Sequence, residues 1–233
     1  MRDLPPPLPP DQRTVGQLVA ESIRAYGQNF WRCLPLGVPL AVGDQLGAHH
    51  GRTVQMLVFW ALTPFFAAAY VWACRLVLDA PPTRTAVAIA LVVYLPFPAL
   101  RSLYVIPGLA WFAFIGLAVP AAIVARTGFR ESLVRGRRLG LADYAHALGS
   151  LCALVVVVGI AANVLGGLLR SQSDTSLRVA VFLSDLVLSP LLFLGSALLY
   201  NDQSARLVSR NDADLHPALD AEPAGRSDAQ VEP

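Results

Sequence analysis

The sequence predicts an all-α polytopic membrane protein: six transmembrane helices preceded by an N-terminal amphipathic helix. Three observations predict it. Of the 233 residues, 55% are hydrophobic and only 15% charged, with a mean hydropathy of +0.53. Soluble domains carry about a quarter charged residues, so a water-soluble chain of this composition would be short of polar surface. A bilayer removes that demand. The charges also stand in clusters, separated by uncharged runs of membrane-spanning length. Finally, all 18 basic residues are arginine, and they are unevenly distributed.

The elements follow in chain order. Residues 1–12, MRDLPPPLPPDQ, are proline-rich and polar and lack the apolar core and cleavage site of a signal peptide. They read as a disordered arm. From Thr14, the residues Val15, Leu18, Val19, Ile23, Tyr26 and Phe30 recur at helical spacing, with Glu21, Arg24 and Gln28 between them. Thr14 and Gln17 fit a capping box. This amphipathic helix either lies in the membrane interface or docks on the helices that follow.

A span needs about 20 residues, since each helical residue rises only ~1.5 Å. Three uncharged runs meet that length without interruption: 22 residues between Arg52 and Arg75, 24 between Arg101 and Arg126, and 26 between Asp143 and Arg170. Three others are interrupted or short. Asp44 breaks the run from Arg32 to Arg52, Asp185 breaks that from Arg178 to Asp202, and only 16 residues separate Arg84 from Arg101. The expected spans are therefore 33–51, 53–74, 85–100, 103–125, 144–169 and 178–200, inside a membrane domain of residues 13–200. Residues 201–233 are polar, acidic and rich in Pro and Gly, and read as a disordered cytoplasmic tail.

Arginines near helix ends favour the cytoplasmic side. With six spans and the N-terminus inside, fourteen arginines fall inside and four outside (Arg52, Arg101, Arg170 and Arg178). The densest group, in TGFRESLVRGRRLG at 127–140, then links the fourth and fifth spans on the inner face. This orientation places both termini in the cytoplasm of a bacterium, with the chain in its inner membrane. Glu131 and Arg135 are spaced for a helical pair. The link is either a topogenic loop or an interfacial helix whose Arg130, Arg135, Arg137 and Arg138 hold anionic lipid headgroups. Trp31, Trp72, Tyr144 and Tyr200 fall near inner boundaries and Tyr104 near an outer one, as interfacial rings do. Trp60 and Trp111 lie deeper.

Ionisable and polar groups inside a membrane are costly, and they are candidates for function. Asp185, Asn163, Arg101 and Asp44 form the expected set, either lining a substrate or ion path or locking helices together. Prolines at 35, 39, 64, 96, 98, 107, 120 and 190 punctuate the spans. Broken helices occur at transporter sites, but neighbouring groups also re-satisfy such breaks elsewhere. Gly149 with Ala153, Ala162 with Gly166 and Ala118 with Ala122 stand four apart and favour close packing within the chain over dimerisation. Cys33, Cys74 and Cys152 are far apart, which gives neither a zinc site nor a disulfide framework. His49-His50 lacks further ligands, and His146 and His216 stand alone. No cofactor, metal or nucleic-acid partner is implied, and no catalytic motif is present. Membrane lipids are the expected partners.

Two stretches carry a resemblance. RTVGQLVAESIRAYGQNFWRCLPLGVPLAV (13–42) places Asn29-Phe30-Trp31-Arg32 where the chain reaches the membrane. VIPGLAWFAFIGLAVPAAIVARTGFRESLVRGRRLGLADYAHALG (105–149) has Pro107-Gly108 opening a span, Pro120 inside it and a basic link after it. Together they resemble the multi-helix membrane domain associated with glycerophosphodiester phosphodiesterases and its stand-alone bacterial relatives. The resemblance implies a six-helix membrane domain and not phosphodiester hydrolysis, because that family's soluble catalytic domain has no counterpart in these residues. The glutamate expected before the link and the serine expected after its arginine are here Ala125 and Gly136. The functional expectation is a non-enzymatic integral membrane protein, accessory to lipid or envelope processes. The alternative is a small transporter or lipid-translocating protein using the Asp185 region.

Overall fold

The computed structural model describes residues 9–48, 50–168 and 174–215. Every regular element among them is helical. The Thr14 hydroxyl caps the first helix, α1 (Val15–Gln28), and Gln17 reciprocates to the Thr14 N–H, completing the capping box. Leu18, Ser22 and Tyr26 form its buried stripe, and it docks on the bundle. α2 (Phe30–Cys33) leads through a 3-10 turn at Leu34–Gly37 into α3 (Val38–Gly47). α4 (Arg52–Ala61), α5 (Thr63–Leu78), α6 (Arg84–Tyr94), α7 (Phe97–Leu103), α8 (Val105–Ile115) and α9 (Ala118–Ala125) follow. α10 (Phe129–Ala142), α11 (Tyr144–Leu168), α12 (Asp174–Leu188) and α13 (Pro190–Leu215) complete the chain.

Among the described residues, three helical stretches are long and apolar enough to cross a membrane: Val105–Ala125, Tyr144–Leu165 and Thr175–Arg210. A fourth arises if α4 and α5, bent by 52°, count as one. The bend comes at Leu62, ahead of Thr63-Pro64. The expected span 33–51 is divided, because Pro35 and Pro39 favour a tight turn before the ten residues of α3. The expected span 85–100 is divided at Leu95-Pro96 between α6 and α7. The outer surface is apolar along α11. Val156, Ile160, Val164 and Leu168 of α11 are all more than half exposed, a face suited to lipid.

The expected disordered tail from residue 201 needs correction. α13 continues to Leu215, and Asp202 and Gln203 are fully buried. The 1–12 arm is described only from residue 9, where Pro10–Gln12 form a 3-10 turn.

Small residues and aromatic rings build the core. Ala67, Ala73, Ala86, Ala90, Ala118, Ala121 and Ala122 are buried, which lets helices approach closely. Gly136 of α10 lies so near the Ala118 backbone that any Cβ there would collide with it. The absence of a serine at this position therefore has a packing reason. Phe59, Phe66 and Tyr94 stack in a chain of rings that Phe97 meets edge-on, joined by Tyr70, Phe112 and Phe193.

Where helices break, side chains supply hydrogen-bond donors. Trp111 Nε1 donates to the Val93 carbonyl at 2.9 Å and Trp60 Nε1 to that of Leu95 at 3.0 Å, both at the α6–α7 break. Tyr70 Oη donates to Gly116 O at 3.3 Å, between α8 and α9. Thr63 Oγ1 donates to Phe59 O at 3.2 Å at the α4–α5 bend, and the Ser189 hydroxyl to Asp185 O at the α12–α13 junction. Pro190 brings no N–H to the Leu186 carbonyl, and Gly37 packs against that oxygen with no room for a side chain.

Three substitutions test this packing. Trp111→Phe keeps the ring but strands the Val93 carbonyl, and it is expected to cost about 1–3 kcal/mol, read by denaturant titration in detergent. Gly136→Ala is expected to lower stability by about 1–3 kcal/mol through overpacking. Gly128→Ala, with nothing within 4 Å of its added Cβ, overpacks nothing and should cost only the difference between glycine and alanine at the α10 N-cap, about 1 kcal/mol or less.

Candidate functional site

Of the four residues expected to form a polar path, Asn163, Asp185 and Asp44 have side chains that the structure describes. Asn163 is exposed on α11, in line with Ile160 and Val164, and its amide donates back to Gly159 O of its own helix at 2.7 Å. Asp185 is half-buried on α12, which packs against α3. Asp44 lies near the C-terminal end of α3, where neighbouring Gln45 donates to the Arg178 carbonyl at 2.9 Å. Arg101 is on α7, with its side chain outside what the structure describes. His49 and Arg170 also lie outside the described residues.

A cavity of about 240 Å³ does open inside the bundle. α3, α5, α6, α7, α8, α11 and α13 all contribute to its wall, which is mainly apolar. Its polar groups are Asp44, Tyr94 and Ser196, and the Ser196 hydroxyl is already committed to Leu192 O at 2.6 Å. Among the described residues, neither Asp185 nor Asn163 lines it.

The densest polar chemistry lies elsewhere, at the helix ends beside the arginine-rich link. Asp143 separates α10 from α11, and three partners hold it. Its Oδ1 accepts the His146 N–H at 3.0 Å and so caps α11. Its Oδ2 accepts Arg206 Nη1 at 2.8 Å. Its backbone N–H and carbonyl pair with the two ends of the Gln203 amide at 3.2 and 3.1 Å. Arg206 Nη2 also donates to the Arg13 carbonyl at 2.7 Å, while Arg13 Nη1 meets Asp202 Oδ1 at 3.1 Å. Arg210 adds a bond to Ala142 O at 3.3 Å. Two arginines and two carboxylates thus balance in one network. It fastens the start of α1 and the α10–α11 joint to the polar part of α13.

The network was not foreseen from the sequence. In the sequence, Asp143 and Asp202 bound apolar runs, and Gln203 and Arg206 fall in the expected tail. One signal was available: Asp202 and Arg206 are four apart, with Tyr200 and Leu207 keeping the helical apolar period beyond the expected end. His146, read as isolated, sits against this network through its backbone N–H.

The arginine-rich link is a helix, α10. Ser132, Gly136, Leu139 and Gly140 face inward, while Arg130, Arg135, Arg137 and Arg138 are exposed. Arg137 rests over the Phe114 ring at 5.5 Å, a cation–π contact. Glu131 and Arg135 are both exposed but form no ion pair among the described residues. Cys33 and Cys74 are buried and free, Cys152 is half-buried and free, and no group of metal ligands gathers among the described residues.

Energetics separate the ion pairs. Asp202 is fully buried and Arg13 partly buried, whereas Arg24 and Glu21 share an exposed pair at 3.0 Å. Breaking a buried pair strands a charge, so Asp202→Ala is expected to destabilise the protein by about 3 kcal/mol. Glu21→Ala should cost less than about 1 kcal/mol. Thermal unfolding in detergent distinguishes the two, and a double-mutant cycle of Arg13 with Asp202 should return clear coupling. No protein-family model matches the chain, and no curated protein or solved structure matches it.

Proposed function

We propose that this is a non-enzymatic, six-pass protein of the bacterial inner membrane with both termini in the cytoplasm, serving as an accessory to lipid or envelope processes. In this reading the divided segments 33–51 and 85–100 also cross, as broken helices sealed by side-chain donors. The distribution of arginines supports the orientation: fourteen on one side, four on the other. The resemblance of residues 13–42 and 105–149 to the membrane domain associated with glycerophosphodiester phosphodiesterases supports the same architecture.

One observation carries the accessory role. Arg13 with Asp202 and Arg206 with Asp143 close on one another at helix ends, while the interior is filled by aromatic rings and alanines. Such a network holds segments in register. A second reading, a small transporter, is favoured by Asp44 on the wall of the interior cavity. An intramembrane carboxylate is a default candidate for ion or substrate contact.

Orientation is testable by single-cysteine labelling in a cysteine-free background. A membrane-impermeant maleimide should label Gly51→Cys in intact cells and Ser227→Cys only after lysis. Labelling of Ser227→Cys in intact cells overturns the orientation. Under the accessory reading, Asp44→Asn leaves uptake by reconstituted vesicles at the background of empty ones, as does the parent chain. Uptake by the parent that Asp44→Asn abolishes would establish the transporter instead.

A further inference from the structure

A second concavity lies on the outside of the bundle, where α2 and α3 run beside α5. It is an open groove of about 710 Å³. Leu36 and Ala69 are buried at its floor, and Val38, Phe65 and Trp72 stand exposed along its rim. The groove exists because Ala68 and Ala69 are too small to fill the space between Phe65 and Trp72. Nearly all of its lining is apolar, and the exception is Arg32 at one end.

That end is built from cations and indoles. Trp72 Nε1 donates to the Arg32 carbonyl at 3.3 Å, pinning α2 to α5. The Arg75 guanidinium lies 5.0 Å over the Trp72 ring. Arg32 and Arg75 are exposed, and no hydrogen bond or ion pair engages either guanidinium among the described residues. Trp31, beside Arg32, is 79% exposed. Indole rings and arginines at one level mark a headgroup boundary.

From Trp72 to Leu62, the groove follows ten residues of α5, about 15 Å along the helix. That is half of a hydrocarbon core of roughly 30 Å, the depth of one leaflet. We infer that the groove binds an anionic phospholipid, with its phosphate on Arg32 and Arg75 and one acyl chain along Val38, Phe65 and Ala68. The two arginines supply the charge complement, and the leaflet-deep apolar channel supplies the chain's bed. This inference rests on the membrane-embedded reading above and names the lipid contact within it.

The test is native mass spectrometry of the full chain in detergent, titrated separately with phosphatidylglycerol and phosphatidylcholine. One phosphatidylglycerol should bind roughly fivefold more tightly than one phosphatidylcholine, the increment of one basic side chain near a headgroup. Arg32→Gln should reduce that preference, and Arg32→Gln combined with Arg75→Gln should abolish it, even with the α10 arginines intact. Ala68→Phe fills the groove and should weaken retention of both lipids. All three positions are exposed, so none of these variants disturbs the core. Equal affinity for the two lipids, or an unchanged preference in Arg32→Gln, overturns the inference, as does a lipid-free dimer that Ala68→Phe dissociates. A chain that holds neither lipid and stays monodisperse without detergent would instead sink the membrane reading itself.

Discussion

The structure depends on one constraint: a peptide group shielded from water must find its hydrogen-bond partner within the protein. In a bilayer, an unmet carbonyl costs several kcal/mol, so an open helix break is not tolerated there. This chain breaks its helices repeatedly, at Leu62, at Leu95-Pro96, at Gly116 and at Ser189-Pro190. At each break a donor arrives: Thr63, Trp60 and Trp111, Tyr70, and Ser189 respectively. Several of these donors come from another helix, so a local defect becomes a tertiary tie. Trp60 and Trp111, too deep for an interfacial belt, are explained in this way. Their indole N–H groups sit where carbonyls are exposed.

The same economy governs the charges. Exposed pairs contribute little, because water solvates each partner and the side chains lose freedom to meet. Buried pairs matter chiefly because losing one partner leaves the other stranded. The network of Arg13, Asp143, Asp202 and Arg206 couples three segments far apart in sequence, and it makes residues 201–210 part of the fold. Gln203 is the neutral element of this arrangement. Its amide answers both backbone groups of Asp143, at the point where α10 turns into α11 and neither helix supplies both partners.

How much of this was legible follows from what each signal encodes. The helical class, the Thr14–Gln17 capping box and the long apolar stretches at 105–125 and 144–165 rest on local spacing, and local spacing is visible in one chain. The uncharged run at 53–74 looked as regular as those two and is bent by 52°, because its break depends on Thr63-Pro64 and on what packs there. The interrupted run at 178–200 belongs to the longest helical stretch, because Asp185 is tolerated without breaking α12. The site was least legible. Charge marked Asp143 and Asp202 as places where membrane ends, which conceals that such residues can pair across the fold. Asp185, Asn163, Arg101 and Asp44 are grouped in the sequence by depth along separate helices, and depth alone does not fix which way a helix faces.

The interior and exterior divide the chemistry between them. Inside, the rings of Phe66, Tyr94, Phe97 and Phe112 border a space of about 240 Å³, smaller than most ligand pockets, with Asp44 as its one carboxylate among the described residues. Outside, α11 offers a smooth apolar face, while α2, α3 and α5 leave a concave one. The difference arises from side-chain size. Branched residues at Val156, Ile160 and Val164 fill the surface of α11, whereas Ala68 and Ala69 hollow out that of α5. Lipid tails are as apolar as leucine, so a smooth face gains little by preferring one lipid over another. A hollow beside unpaired cations can discriminate, because packing along the chain and charge at the headgroup act on the same molecule. Selective chemistry in this protein therefore belongs where the helix surface is indented and Arg32 and Arg75 stand at its mouth.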